Sequence, residues 1–459
     1  MTLRLFESQG WLVRELTGND IKVTITSLGK KHFSEIDIYI SFFSYYNYLS
    51  SLSFDDDTHL KIEPIFRKFN NLTTSNTLII KHIEGLLIGP IIVSLSINKY
   101  FSMENNKIIF KNKLNQKNID FLYKFFEKFG FIDKNNKLTE KGLFFLNRSS
   151  AYGVTTSYMP LFSKIDILLF NDTSNLLERD DSGNEQHVNR VMNVWGSGGA
   201  HKVYFKKIDE IVTEIFNYPL DKQPKGIADM GCGDGTMLIH LYKLIKNNTL
   251  RGDNLKEFPL EVIGADFNKE ALDVTHLNLN RTNIKHTLIE ADIGDPESFN
   301  EKLFKTSNIK LNELLNVRSF LDHNRNFIEP SVSIAQNNNI TTNSTAAFCT
   351  KTSNEILPPI TFKLSLIEHF MRWKPFINKF GLIVLELHTI NPTLCSKNIG
   401  KTVATAYDAT HGYSNQYIIE YEDFLDSAII AGLKNNDKFE FKFPNKELTT
   451  VSINLLSAS

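Results

Sequence analysis

Cysteine is scarce in this chain: three residues in 459, at positions 232, 349 and 395, too far apart in sequence to form a metal-binding pair. A disulfide framework is therefore not expected, and a reducing, cytoplasmic setting is. Net charge is almost absent as well, with 51 Lys and Arg against 52 Asp and Glu and a pI near 6.9. Nothing here supplies the basic field on which phosphate-backbone binding depends, so nucleic acid is not an expected partner. Long apolar runs are missing too. The most apolar stretch, Gly85 to Leu95 around Pro90, is shorter than the roughly 20 residues a bilayer-crossing helix needs. The N-terminus has no signal-peptide profile, and no membrane association is expected.

What is present is a strand that ends on an acid and runs at once into spaced glycines: Gly226-Ile227-Ala228-Asp229-Met230-Gly231-Cys232-Gly233-Asp234-Gly235-Thr236. Glycine lets the backbone turn sharply from strand to helix and lets a ligand approach it, while the helix beyond offers free N–H groups. The mostly apolar run from Met237 to Ile245 reads as the helix of a βαβ unit. This resembles motif I of the class I S-adenosylmethionine (SAM) methyltransferases. A nicotinamide dehydrogenase would carry G-x-G-x-x-G instead. Here Gly231, Gly233 and Gly235 are each two apart, with Asp229 two residues ahead.

Two further strand ends fall in register with that reading. Leu260 to Asp266 ends in a carboxylate placed to accept hydrogen bonds from both ribose hydroxyls, followed by Phe267. His286 to Ile293 carries Asp292, where the family's acid meets the adenine amino group, followed by Ile293. Either Asp alone would more simply cap a helix; together with the glycine turn they predict a SAM site.

The predicted fold is α/β: a Rossmann-like class I methyltransferase sheet with a mainly helical, winged-helix-like N-terminal domain and a lid. Residues 1–180 form the N-terminal domain, in which Phe121, Leu122, Phe125, Phe126 and Phe129 recur at helical spacing ahead of a polar turn at Asp133 to Gly142. Such domains serve packing or dimerisation in related enzymes, and the sequence leaves a homodimer open. Residues 181–222 form the lid and connecting helix. The cluster Gly196-Ser197-Gly198-Gly199-Ala200 is where a lid over the cofactor would hinge, with Gly198 a candidate cofactor contact; a plain linker fits the composition equally. Residues 223–459 form the catalytic domain, interrupted at 327–358 by an Asn-, Thr- and Ser-rich insertion expected to be exposed.

Acceptor-side chemistry is sought at Arg318-Ser319-Phe320-Leu321-Asp322-His323-Asn324-Arg325, where the fourth strand should end. Its four ionisable side chains, Arg318, Asp322, His323 and Arg325, together with Asn324, can bind an anionic acceptor or transfer a proton. Asp408, His411 and Gln416 supply oxygen and nitrogen donors suited to a hard or borderline cation. His388 closes a buried strand, Gly381 to His388.

Taken together, Leu143 to Val154, Val194 to His201, Arg318 to His323, Glu368 to Phe376, Glu386 to Thr389 and Asp408 to Gly412 resemble the C-methyltransferases of polyketide synthase loading modules of the apratoxin type. That resemblance implies methyl transfer from SAM to the α-carbon of an acyl group, typically malonyl, held as a thioester on an acyl carrier protein. It also implies a bound metal such as iron or manganese, which Asp408, His411 and Gln416 would hold. His388 or His323 would take the α-proton, with His388 slightly preferred. Two other readings stay open: metal-independent O- or N-methylation of a free small molecule, and a non-catalytic SAM-binding winged-helix regulator.

Overall fold

Alternation of apolar helical stretches with glycine-punctuated strands produces two separate packed units in the computed structural model. It describes residues 1–17, 20–111, 113–171, 174–177, 185–336, 339–349 and 356–459. Trp11–Lys202 make one unit, and Met1–Gly10 with Val203–Ser459 make the other. The first ten residues thus belong with the catalytic domain rather than with the 1–180 domain expected from sequence.

The N-terminal unit is organised around aromatic packing. Helices Thr58–Asn70 and Gln116–Lys128 bury Phe66, Phe69, Phe121, Phe125 and Phe126, and Phe125 and Phe129 lie 4.6 Å apart between ring centroids. The predicted aromatic stripe is therefore core. Helix Thr77–Ile97 is 21 residues long and apolar enough by length and composition to cross a membrane, a length the sequence pattern understated because Pro90 lies inside the helix instead of ending it. Its Ile79, Ile83, Leu87, Ile91, Ile92 and Leu95 are buried in the same cluster as the phenylalanines, as in the core helix of a folded domain. A hairpin of Phe101–Glu104 with Lys107–Phe110 is extended by bridges at Lys107–Lys137 and Ile132–Leu138, giving the wing beside the helices.

The glycine cluster does not interrupt its helix, which runs unbroken over Arg190–Ile215. Close packing explains Gly196: a Cβ there would stand 2.6 Å from the Val154 backbone nitrogen. Gly198 is exposed with open space where a Cβ would be. A mid-helix N–H is already engaged by the helix, so the argument for Gly198 as a cofactor contact or hinge lapses.

In the catalytic unit seven strands form the main path of the sheet: β1 Gly226–Met230, β2 Glu261–Asp266, β3 Thr287–Glu290, β4 Leu315–Ser319, β5 Leu382–Thr389, β6 Leu433–Asn435 and β7 Val451–Ala458. Their order across the sheet is β3-β2-β1-β4-β5-β7-β6. The first five are parallel, whereas β7 runs antiparallel to both β5 and β6. This is the class I methyltransferase sheet. Order reverses between β1 and β4, and the carboxyl ends of the strands at such a switch point are where an open α/β sheet binds its ligand. Apolar clusters cover both faces, one around Phe362, Phe370 and Trp373 and one around Ile208, Leu238 and Leu241.

The polar insertion is partly built into this unit. Ser344 and Phe348 are buried, the Phe348 and Phe362 ring centroids lie 4.5 Å apart, and Phe348–Cys349 pairs with Ile356–Leu357. Its polar composition hid these anchors; positions 337–338 and 350–355 lie outside the described residues.

Candidate functional site

The glycine turn at the end of β1 takes the conformation its spacing predicts. Gly231, Gly233 and Gly235 all have positive φ, at +70°, +56° and +78°, a region that costs a side-chain-bearing residue about 1–2 kcal/mol. Gly235 then caps helix Thr236–Asn248, leaving that helix's first N–H groups at the turn. The Gly231 and Cys232 amides donate to the Ala265 carbonyl at 2.8 and 3.0 Å, tying the turn to β2.

The predicted acids stand around it. Asp266 ends β2 and accepts from the Gly233 amide at 3.2 Å and the Asn268 amide at 2.9 Å. Phe267 comes next and is 68% exposed, a large apolar face left for a ligand. Asp292, beyond β3, accepts from the Gly294 amide at 2.7 Å and from Asn326 at 3.3 Å. Ile293 is buried, and its carbonyl accepts from Trp373. Asp229 is buried within β1, where burial first and then Asp266 and Asp234 push its carboxyl up to about 8.

On the acceptor side the chain leaves β4 through Phe320, a non-glycine residue at φ +54°. Such a strained turn is costly and re-aims the residues beyond it. Leu321 packs on the glycine turn, 3.1 Å from where a Gly231 Cβ would lie, and Asp322–Asn324 form a short 3-10 turn. His323 Nδ1 sits 2.5 Å from Glu386 Oε1; its backbone amide donates to Glu386 Oε2 at 3.2 Å, and its carbonyl accepts from Tyr417. Glu386 is the one carboxylate of β5, following four buried apolar residues, Leu382–Leu385. Among the described residues no hydrogen bond engages His323 Nε2. A carboxylate on one ring nitrogen with the other free is the arrangement of an oriented general base.

His388 is placed otherwise. It is fully buried, with Nε2 2.8 Å from Ser452 Oγ and Nδ1 3.3 Å from the Ile419 carbonyl, and burial pulls its pKa down to about 3. With both ring nitrogens occupied it serves the sheet, and the preference for it as base is reversed in favour of His323. Asp322 is likewise corrected: its carboxylate is held by Arg318 at 2.9 and 3.0 Å and by His369 at 3.0 Å. Burial opposes its ionisation, but Arg318, His369 and Arg325 hold it down at about 2. It positions the turn rather than moving a proton.

The three proposed metal ligands face different partners. Asp408 Oδ2 accepts from Arg4 Nε at 2.9 Å and its Oδ1 from Thr389 at 2.6 Å. His411 turns toward His323, ring centroids 5.1 Å apart, with Nδ1 2.9 Å from the Tyr407 carbonyl. Gln416 donates to Ser414 at 2.9 Å. A cation needs carboxylate oxygens directed at it. Here both Asp408 oxygens are engaged, one of them by an arginine that already supplies the positive charge, so this set does not fit a metal. Among the described residues no cluster of three or more His, Cys, Asp or Glu could hold one.

Sequence reasoning missed Glu386, Arg4 and His369 as site components, and read Arg325 only as one ionisable member of its cluster. Glu386 had a signal: a lone charge in a buried apolar strand is rarely placed there without a partner. Arg4 had none, since its partners lie 341 to 404 residues away in the chain.

Residues 84–172 match the family described as the AprA winged helix domain. No curated protein matches the chain. Among solved structures, an O-methyltransferase family protein from Burkholderia thailandensis is 10% identical with TM-score 0.46, covering 84% of this chain and 100% of its own. The LepI complex with SAM is 8% identical with TM-score 0.41, over 95% and 100%. The CurJ carbon methyltransferase is 11% identical with TM-score 0.36, over 94% and 94%. Residues 185–454, more than half of the chain, match the AprA MT2-like domain, and with the glycine turn at the head of its sheet this chain belongs to that family of SAM-dependent methyltransferases.

Proposed function

We propose that the protein methylates the α-carbon of a malonyl-type acyl thioester carried on an acyl carrier protein, with His323 as the base. The carrying observation is the His323–Glu386 pair at the end of β4. SAM is already a strong electrophile, so the step that needs help is making the acceptor carbon nucleophilic. His323 Nε2 takes the α-proton, the electron pair left on carbon attacks the sulfonium methyl, a C–C bond forms, and the C–S bond breaks to release S-adenosylhomocysteine (SAH). Glu386, bonded to Nδ1, fixes the tautomer that leaves Nε2 unprotonated and stabilises the imidazolium once it has formed. No metal enters these steps.

The carrier-bound malonyl acceptor is inferred from the resemblance to loading-module enzymes. A second reading, O- or N-methylation of a free small molecule, is favoured by the same dyad together with the engaged Asp408, since a hydroxyl or amine proton needs no metal-stabilised enolate. Intact-mass measurement of malonyl-loaded carrier protein after incubation with SAM separates them. A gain of one methyl group on the acyl chain is expected; an unchanged carrier alongside SAH formation from a free acceptor would replace the first reading by the second.

A further inference from the structure

Two buried arginines next to His323 carry more positive charge than their surroundings balance. Arg318, on β4, is fully buried and Arg325 is 4% exposed. Asp322 is the one carboxylate hydrogen-bonded to either of them among the described residues. Arg318 pairs with its side chain, and Arg325 Nη1 donates to its backbone carbonyl at 3.1 Å. His369, the other neighbour of Asp322, is kept neutral by burial, its pKa drawn down to about 3. Two guanidiniums thus face one carboxylate. The imbalance is felt at Arg325, where burial first and then the repulsion of Arg372 and Arg318, against the pull of Asp322, bring its pKa to about 10.

The donors left over are specific. Arg318 Nη1 and Arg325 Nη2 are buried without a hydrogen-bond partner. Each guanidinium lies over an aromatic ring, Arg325 4.6 Å from the Phe362 ring centre and Arg318 5.1 Å from that of Trp373, which limits how far either can turn toward another acceptor. A buried guanidinium edge with no acceptor is unfavourable until an anion supplies one, and a carboxylate matches its fork geometry.

We propose that Arg318 and Arg325 form a carboxylate-binding subsite that takes the free acid end of the acceptor. This rests on the reading of the acceptor as a malonyl-type thioester, and it gives that reading a chemical reason. Removing a proton from a carbon beside a carboxylate builds a second negative charge next to the first. A guanidinium on the carboxylate neutralises the first charge and makes the carbon easier to deprotonate by His323. Arg325 reaches back under the turn that carries His323, which joins recognition of the acid end to placement of the base.

The test titrates malonyl-pantetheine, acetyl-pantetheine and SAH separately into the wild-type protein and into Arg325→Gln and Arg325→Lys. Malonyl-pantetheine is expected to bind the wild type at least tenfold more tightly than acetyl-pantetheine. Arg325→Gln should erase that difference, Arg325→Lys should restore part of it, and SAH affinity should stay within about twofold, which also shows that the variants fold. Equal binding of the two thioesters by the wild type overturns the subsite even if no variant can be purified. Loss of SAH affinity in a folded Arg325→Gln overturns it in another way, by giving the anion as the cofactor's own carboxylate. The two proposals fail separately: an Arg325-dependent preference for malonyl without methyl transfer to a malonyl-loaded carrier keeps the subsite and removes the carrier reading. Methyl transfer unaffected by Arg325→Gln does the reverse.

Discussion

His323 Nδ1 and Glu386 Oε1 lie 2.5 Å apart across the ends of two neighbouring strands, β4 and β5. The sheet register places the carboxylate, and the strained Phe320 turn places the ring. Glu386→Gln keeps the shape but replaces an acceptor-only group by an amide that can present either a donor or an acceptor. The expected result is a fall in kcat of about 10²-fold or more with little change in KM, measured as SAH release. A rise in KM with kcat unchanged would make Glu386 a substrate contact instead.

Arg4 ties the first helix, Thr2–Ser8, to the catalytic unit through Asp408, Thr345, Thr389 and the Ile390 carbonyl. Removing one partner of a buried ion pair typically costs about 3–5 kcal/mol. Burial raises the Asp408 pKa against the pull of Arg4, so loss of Arg4 lets Asp408 take up a proton and recover part of that cost. Arg4→Gln is expected to lower the midpoint of chemical denaturation clearly at pH 8 and less at pH 5. Equal losses at the two pH values would argue that Asp408 stays ionised without its partner.

Chelation bears on the same residues. Because both Asp408 oxygens are engaged, dialysis against EDTA is expected to leave the methyl-transfer rate within about twofold. Activity abolished by EDTA and restored by iron or manganese would show that Arg4 yields Asp408 to a metal.

Gly233 offers a clean test of the glycine turn. Its φ is +56°, and the atom nearest to an added Cβ is the Gly231 carbonyl oxygen at 3.9 Å, so the fold itself has room. Gly233→Ala should cost the fold only the backbone strain, about 1–2 kcal/mol, while a ligand lying against the turn meets the new methyl. SAH affinity should fall at least tenfold by calorimetry; unchanged affinity would place the cofactor elsewhere.

Asp229 sets a pH dependence. Its folded pKa of about 8 lies above an unfolded value of about 3.9, so the folded protein holds a proton that the unfolded chain has released. The associated stability is full below about pH 4 and is lost progressively as pH rises toward 8. The Tm difference between Asp229→Asn and the wild type, both free of ligand, should therefore widen in favour of the variant from pH 5 to pH 8. A constant difference would mean that Asp229 is already ionised in the fold.

The sheet and the glycine turn at its edge were legible because they rest on local rules: a five-residue strand, glycines forced to positive φ, and acids that end strands. Phe121 to Phe129 read as core for the same reason. The acceptor side was legible only as a cluster, because the role of each residue there depends on which partner the fold delivers. His323 and His388 look alike in sequence. Glu386 stands on one ring nitrogen of the first and leaves the other for the proposed base role, whereas Ser452 with the Ile419 carbonyl occupies both nitrogens of the second. Gly196 and Gly198 likewise read as one flexible cluster, though the first is required by a neighbouring backbone.

The most direct test of the account is single-turnover methyl transfer from SAM to malonyl-loaded carrier protein by His323→Ala and His388→Gln, with SAH affinity measured on each as a check of folding. The account predicts a loss of about 10²- to 10⁴-fold for His323→Ala and a rate near that of the wild type for folded His388→Gln. A His323→Ala protein that binds SAH and transfers the methyl group at the wild-type rate would contradict it.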